Sequence, residues 1–275
     1  MFRRFGIITI FLFCLGTTYG KSLSENAQIS LITCAPGEEL YERYGHTAIH
    51  VCDSDNNLDV VFNYGIFSFE TEHFYWKFVK GETYYQLGVE DTRYFMWAYA
   101  YEGRAVYEQV LNLTHEQKQQ LYDALQTNLR PENCYYLYNF VFDNCATRPY
   151  FLIKKVLGDS LLSQYEGWEG HSYRDFIRHY TGAYSWADFG INLVFGKRAN
   201  NPLHGEERLF LPEELMFYLS QATLPDGTRV IQDEHIQPFR FRHTPWYATC
   251  WFGLALFAFS MVIITLIDRK RHKLS

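Results

Sequence analysis

The amino-acid sequence predicts an α+β domain, built from an antiparallel sheet with packed helices, and one membrane-spanning helix after it. Short strand-like runs separated by turn residues fill much of the first half. Segments with helix-start signals lie between and after them. A stretch close to the C-terminus carries no charge over the length that a bilayer requires. The 275 residues, 48% hydrophobic and 20% charged, exclude a disordered chain, and the formal net charge of −6 argues against a nucleic-acid-binding protein.

Residues 1–20 have the three parts of a secretory signal peptide. Arg3 and Arg4 precede an apolar run over residues 5–15, and small residues follow that run. The run is short for a membrane span, although an uncleaved N-terminal anchor stays an alternative. Both interpretations place the following chain outside the cytoplasm.

Residues 246–267 carry no charge and predict a transmembrane helix. Trp246 and Trp251 lie where interfacial aromatic side chains are common. The tail, residues 268–275, is basic, and basic flanks of spanning helices face the cytoplasm. We therefore expect an exported domain over residues 21–245 and a cytoplasmic C-terminus.

Several strands are predicted in the exported domain. Residues 46–52 and 58–64 alternate in polarity and are joined by the turn residues 53–57, which predicts a hairpin. Further strands are predicted at residues 83–89 and 105–111, an aromatic strand or loop at 134–142, and a helix is favoured over residues 67–79.

Four helices are predicted after the strands. Thr114 begins the first with a capping box, leucines recur at every fourth position, and Pro131 ends it. The other three cover residues 144–157, 173–180 and 212–221.

Four cysteines remain in the exported domain once the two ends are set aside: Cys34, Cys52, Cys134 and Cys145. In an oxidising compartment two disulfides are the default expectation. The alternative is one reactive thiol with a possible bridge among the other three.

Cys145 is the candidate nucleophile, within residues 143–148 (DNCATR). If Asn144 caps the following helix, Cys145 belongs to its first turn, where free N–H groups and the helix dipole stabilise a thiolate. The same amides can hold the oxyanion of a tetrahedral intermediate, and we expect Asn144 to support this site. A structural or disulfide-bonded cysteine is the alternative.

His46 is the candidate base. Alternation places His46 and His50 on one face of their strand, and a four-residue loop, 53–56, predicts His46 opposite Asn63 and His50 opposite Asp59. Asn63 then orients the imidazole and completes a Cys-His-Asn constellation of the papain kind. The alternative for His46 is a polar residue on a half-buried strand.

A metal site is the competing interpretation of His46 and His50. Two histidines at this spacing share a face of a helix, but Thr47 occupies the position where the zincin motif has glutamate. No third ligand lies at a convincing spacing, so we expect no metal and no cofactor.

Four segments resemble the N-terminal periplasmic domain of the Lnb-type lipoprotein N-acyltransferases. They are residues 35–41 (APGEELY), 44–51 (YGHTAIHV), 62–69 (FNYGIFSF) and 143–148 (DNCATR), within a resemblance that covers roughly residues 28–230. The chain order, a histidine strand before the cysteine helix, is the reverse of papain. It resembles the circularly permuted papain-like superfamily, which includes lecithin–retinol acyltransferase-like enzymes and cell-wall peptidase relatives.

The resemblance implies that Cys145 is the acyl-accepting thiol, His46 its base and Asn63 the third member of the site. It implies an acyltransferase anchored in the bacterial inner membrane, with its catalytic domain in the periplasm. A phospholipid is the implied acyl donor, and the amine at the N-terminus of a lipoprotein is the implied acceptor.

Two other functions stay open. With water as the acceptor, the same site gives a hydrolase, either a lipase or a cell-wall peptidase. A non-catalytic envelope scaffold, in which Cys145 pairs with Cys134 or Cys34, is the third hypothesis. The aromatic side chains of residues 62–85 are candidates for an acyl groove, with ordinary core packing as the alternative for most of them.

Overall fold

The computed structural model describes residues 22–67, 72–73, 76–77, 80–158, 161–239 and 244–272. The predicted signal peptide lies outside the described residues, and so does most of the helix favoured over residues 67–79. The described part is a mixed α+β structure, which confirms the predicted fold class at that level.

Seven strands form one antiparallel sheet in the order β6-β4-β3-β2-β1-β5-β9. The strands are β1 (Gln28–Cys34), β2 (His46–Asp53), β3 (Leu58–Ile66), β4 (Tyr84–Asp91), β5 (Val106–Leu111), β6 (Tyr135–Leu137) and β9 (Ile231–Glu234), while β7 (Leu162–Ser163) pairs separately with β8 (Ala222–Thr223). The first four strands are neighbours in chain order and form a meander, which contains the predicted hairpin of β2 and β3.

Seven α-helices lie among the described residues. They are α1 (Thr92–Tyr101), α2 (His115–Leu129), α3 (Thr147–Leu157), α4 (Tyr173–Thr181), α5 (Trp186–Val194), α6 (Pro212–Ser220) and α7 (Cys250–His272). The predicted capping box of α2 is present, because the Gln117 amide donates to Thr114 Oγ1 and the Thr114 amide donates to Gln117 Oε1.

Alternating residues of the central strands pack on opposite sides of the sheet. Ile49 and Phe62 belong to the main core, which also contains Leu121 of α2. Ala48 and Val61 face the other side of the sheet, together with Ile32 and Cys34 of β1. Phe95 of α1 packs against this second cluster. Both faces are therefore covered, and each large apolar side chain buried this way contributes about 1.5–3 kcal/mol.

Six elements were not predicted from the sequence: the strands β1, β7, β8 and β9 and the helices α1 and α5. β1 reads as a nearly continuous buried run without alternation, since it lies between two strands with both faces covered. Half of the ten residues of α1 are aromatic and only Thr92 and Arg93 at its start are polar or charged, so its sequence lacks a polar stripe at helical spacing. Asp91, which caps α1 by accepting from the Arg93 amide, is the start signal that was missed.

The predicted spanning segment is helical, but its start was predicted four residues too early. Residues 246–248 form a 3₁₀ turn after Pro245, and α7 begins at Cys250, where Thr249 Oγ1 accepts from the Phe252 amide. The segment Cys250–Lys270 is long and apolar enough to cross a membrane, and only 6% of its most apolar window is buried.

Helix α5 lies beside the beginning of α7. The Cys250 amide donates to the carbonyl oxygen of Tyr184 at 2.9 Å, and the ring of Trp186 packs against Gly253. The apolar side chains of α5 face outward, with Leu193 76% and Val194 59% exposed. An exposed apolar surface therefore adjoins the helix that is long and apolar enough to span a membrane.

Gly45 holds the turn that leads into His46, and we predict that Gly45→Ala strongly destabilises the domain. Its φ of +75° is in the left-handed region, and an added Cβ would lie 2.6 Å from the Cys34 carbonyl oxygen and 2.9 Å from the Phe239 ring. Gly103→Ala is the matched control, because Gly103 also has a positive φ, +68°, but open space around it.

We expect denaturant unfolding to show that Gly45→Ala loses about 1–3 kcal/mol more than Gly103→Ala, which is the usual range for overpacking. Equal losses in the two variants would contradict the tight packing at Gly45.

Candidate functional site

Asn144 organises the loop that carries Cys145. Its side-chain Oδ1 accepts from the backbone amides of Ala146 at 2.8 Å and Thr147 at 2.9 Å. Its Nδ2 donates to the carbonyl oxygens of Phe140 at 2.7 Å and Phe210 at 2.8 Å. Asn144 is buried and both amide protons are used, so in this structure it supports the loop and has no proton left for an oxyanion.

Helix α3 begins two residues later than the sequence predicts. Cys145 precedes the helix instead of lying in its first turn, since α3 starts at Thr147. Pro149 gives the reason, because it has no N–H to donate to the carbonyl of Cys145 and the regular ladder cannot start earlier. The expectation that the helix-start amides are free is also wrong, as Asn144 already binds those of Ala146 and Thr147.

A salt bridge closes the same loop from outside. Arg148 donates to the Asp143 carboxylate through Nε at 2.5 Å and through Nη2 at 2.8 Å. The guanidinium also lies 3.6 Å from the centroid of the Tyr136 ring. Residues on both sides of Cys145 are thus tied together, which fixes the position of the thiol.

The β2–β3 register differs by two residues from the predicted one. Asp53 belongs to β2 and pairs with Leu58, so the loop is 54–57 and His50 pairs with Val61. The predicted pairing of His46 with Asn63 is therefore wrong. A shift of two residues keeps each side chain on its face, so the expected contacts form diagonally.

His46 contacts Asn63 directly. Nε2 of His46 lies 2.6 Å from Oδ1 of Asn63, and Nδ2 of Asn63 donates to Oε1 of Glu90 at 3.3 Å. Because the Glu90 carboxylate accepts from the Asn63 amide nitrogen, Oδ1 faces the imidazole. Nε2 of His46 then carries the proton, and Nδ1 is left with a free lone pair for use as a base.

His46 and Cys145 lie beside the same residue, Gly65, where β2 and β3 separate. The pairing of β2 with β3 stops at Ile49 and Phe62. Around Gly65, β3 has a bulge in its pairing with β4. A Cβ added to Gly65 would lie 3.6 Å from Cβ of Cys145 and 3.9 Å from Cε1 of His46. The two side chains therefore flank the same glycine, and a larger residue there would project between them.

Backbone amides also reach the sulfur. The amides of Thr47, next to His46, and of Cys145 itself are close enough to the sulfur to lower the pKa of the Cys145 thiol. Thr47 lies beyond the last residue pair of β2 and β3, so its amide makes no sheet hydrogen bond to β3. Two N–H groups thus converge on the sulfur, in place of the helix-start amides that the sequence predicts.

The site keeps both of its titratable groups neutral. Burial lowers the pKa of His46 to about 4, against the opposing effect of its hydrogen bond to Oδ1 of Asn63. Burial also raises the pKa of the Cys145 thiol to about 11, against the amides of Thr47 and Cys145. At pH 7 the pair is therefore a thiol and an imidazole, not a preformed thiolate–imidazolium pair.

Aromatic rings stack beside the thiol. Tyr85 packs between Phe67 and Tyr138, with ring centroids 4.8 Å and 4.0 Å away. Burial first, and then the neighbouring Cys145, raise the pKa of Tyr85 above its usual range. Phe62 and Tyr64 are fully buried in the main core, so core packing is the correct interpretation for those two residues.

The cysteines of the described residues are free thiols. They are Cys34, Cys52, Cys134, Cys145 and Cys250. The two disulfides expected by default are therefore not found in the described part of the chain, and Cys145 is available for chemistry. Cys34 is the register partner of His46 on β1 and is buried beneath α1.

Three contributors to the site were missed in the sequence: Glu90, Gly65 and the amide of Thr47. Glu90 lies one residue past the end of a predicted strand, and only the β3–β4 register brings it to Asn63. The glycine after Tyr64 was a signal for a bulge that was not used. No sequence signal identifies a backbone amide that leaves a sheet ladder.

Comparisons with known proteins identify one family. The family model described as "Lnb N-terminal periplasmic domain" matches residues 19–175. No curated protein matches, and no solved structure matches. The matched region contains His46, Asn63, Glu90 and Cys145.

The neutral pair predicts how Cys145 reacts with iodoacetamide, which alkylates thiolates. We expect alkylation at Cys145, followed by mass spectrometry of its peptide, to rise about tenfold per pH unit above pH 7 and to level off near pH 11. The variant His46→Gln separates the effect of the imidazole from that of burial, and the slope should persist in it. A plateau reached below pH 8 would instead indicate a preformed thiolate.

Proposed function

The chain belongs to the family of the Lnb N-terminal periplasmic domain, and from that premise we propose that it is a membrane-anchored thiol acyltransferase. Cys145 is the nucleophile, His46 the general base and Asn63 the residue that orients His46. One observation carries the proposal: a free thiol lies beside the same glycine as a histidine whose Nε2 is held by Asn63.

We propose that the first step forms a thioester. Nδ1 of His46 takes the thiol proton as the sulfur of Cys145 attacks the carbonyl carbon of a phospholipid ester. The amides of Thr47 and Cys145 donate to the resulting oxyanion. When the intermediate collapses, the carbon–oxygen bond breaks, and His46 returns the proton to the alcohol oxygen of the leaving lysophospholipid.

The second step transfers the acyl group to an amine, which we propose to be the N-terminus of a lipoprotein. His46 takes a proton from the nitrogen as it attacks the thioester carbonyl. The carbon–sulfur bond then breaks, an amide is released, and the thiolate of Cys145 takes the proton back from His46. An uncharged resting pair suits both steps, because the base enters each of them deprotonated.

A permuted papain-like arrangement fits this assignment. The histidine and the asparagine come from neighbouring strands of an antiparallel sheet, and the cysteine follows later in the chain, just before α3. Papain-like enzymes use these three residue types in the same roles. We propose the permuted order as the family relation of this domain.

The position of α5 supports a site close to the bilayer. α4 and α5 are consecutive, and α4 packs against the residues just before His46. Arg43 donates to the carbonyl of Thr181 at 3.1 Å, and the rings of Tyr44 and Tyr180 stack with centroids 5.8 Å apart. The apolar side chains of α5 are exposed beside α7. We therefore propose that α5 lies at the membrane–water interface on the side of the membrane that carries the domain, and that it brings the site close to lipid.

We also propose that the domain faces the periplasm and that the C-terminal end of α7 is cytoplasmic, in the inner membrane of a bacterium. The basic residues after the apolar segment support this orientation, since basic flanks stay on the cytoplasmic side.

The acyl-enzyme is the decisive species, and it is detectable. The full-length protein in phospholipid vesicles is quenched with acid and digested, and we expect the Cys145 peptide to carry one fatty acyl group. His46→Ala should slow thioester formation about 10²–10⁴-fold, the usual contribution of a general base, and Cys145→Ser should abolish it. Cys134→Ser is the matched control and should behave like the wild type.

The acceptor is then identified by addition to the trapped species. A diacylated peptide amine should discharge the thioester to an amide. Release of free fatty acid with no amide would identify a lipase, and cleavage of peptidoglycan stem peptides without any acyl-enzyme would identify a peptidase. Wild-type rates in His46→Ala, or a disulfide at Cys145 in protein from its native membrane, would contradict the catalytic pair.

A further inference from the structure

A second polar cluster lies on the face of β2 that carries His46, toward the other end of the strand. His50 and Cys52 project there from β2, and they meet Asp59 of β3 and Glu108 of β5. His46 and Cys145 are not members of this cluster, so the acyl-transfer site does not use it.

The strand register brings the ligand atoms together. Cys52 and Asp59 are directly opposite partners in the β2–β3 pair, and His50 is two residues before Cys52 on the same face. Nε2 of His50 lies 2.8 Å from Oδ1 of Asp59, and the candidate ligand atoms of His50, Cys52 and Asp59 all lie within 4.8 Å of one another.

These distances suit a tetrahedral metal ion. Zinc–ligand bonds of about 2.0–2.3 Å give ligand–ligand distances of roughly 3.3–3.8 Å in a tetrahedron. Side-chain rotations alone convert the observed spacing into that one. Imidazole, thiolate and carboxylate are all zinc ligands, and a water molecule completes the set.

Glu108 occupies the position of a second-sphere partner. Its Oε1 lies 2.8 Å from Nδ1 of His50, and the same carboxylate accepts a hydrogen bond from Ser30. Both ring nitrogens of His50 therefore face carboxylate oxygens. Because a neutral imidazole has only one N–H, this arrangement requires either a second proton on the ring or a cation at Nε2. A metal ligated through Nε2, with Nδ1–H held by a carboxylate, is the common geometry of histidine–zinc sites.

We propose that His50, Cys52 and Asp59 bind a zinc ion, with Glu108 orienting His50. Binding displaces the thiol proton of Cys52, and any proton on Nε2 of His50, into solvent. The ion links β2 to β3, the two strands that carry His46 and Asn63. Metal binding is therefore expected to stabilise the ribbon on which the acyl-transfer residues lie.

Cobalt(II) is the probe, because a cobalt-bound thiolate gives an ultraviolet charge-transfer band. The reduced full-length protein in detergent is stripped with a chelator and titrated with cobalt, then with zinc. We expect the band to saturate at one cobalt per chain and to disappear on addition of zinc. Glu108→Gln should weaken cobalt binding by about 10–100-fold, the usual effect of losing a second-sphere partner.

Variants decide which thiol binds the metal. Cys52→Ser should remove the band while its circular dichroism stays that of the wild type, and Asp59→Asn should weaken it. Cys145→Ser and Cys134→Ser should keep it. A band that persists in Cys52→Ser, or no band in the wild type at millimolar cobalt, would overturn the zinc site without affecting the acyl-transfer proposal.

Discussion

One hydrogen bond, from Nε2 of His46 to Oδ1 of Asn63, determines what the candidate site can do. At 2.6 Å it takes up one ring nitrogen and leaves the lone pair of Nδ1 free. The bond has this polarity because Glu90 accepts the other end of the Asn63 amide. Burial raises the pKa of Glu90. A protonated Glu90 would no longer exclude the reverse orientation of the Asn63 amide, in which Nδ2 faces His46. Three consecutive strands, β2, β3 and β4, are thus needed to define one tautomer.

The rest of the local structure places the sulfur beside the same glycine as this imidazole, and burial keeps both groups uncharged. The pairing of β2 with β3 ends before Gly65, and Asn144 holds the loop of Cys145 beside that glycine. With a thiol pKa of about 11 and an imidazole pKa of about 4, the resting pair is uncharged, and in the proposed reaction charge would develop only as the proton moves. Backbone amides aimed at the sulfur already occupy fixed positions, so stabilising that charge requires little reorganisation.

Sequence patterns gave the faces of the strands more reliably than their register. Alternation placed His46 and Asn63 on one face, and that relation survives a register shift of two residues, whereas the predicted pairing does not. The shift arose because Asp53 extends β2 instead of starting the turn, and Ser24 binds its carboxylate there. Contacts set by distant segments, such as Phe210 with Asn144 or Glu90 with Asn63, have no local sequence signal, and neither has the cluster of Cys52 with Asp59.

Nitrogen-15 NMR of histidine-labelled full-length protein tests the central claim most directly, with His46→Gln used to assign the signal. The account predicts that His46 at pH 7 is neutral and carries its proton on Nε2, and that it stays neutral on acidification until about pH 4. An imidazolium at pH 7 that loses its charge when Cys145 is replaced by serine would contradict the neutral pair. A neutral ring protonated on Nδ1 would contradict the hydrogen bond from Nε2 to Asn63.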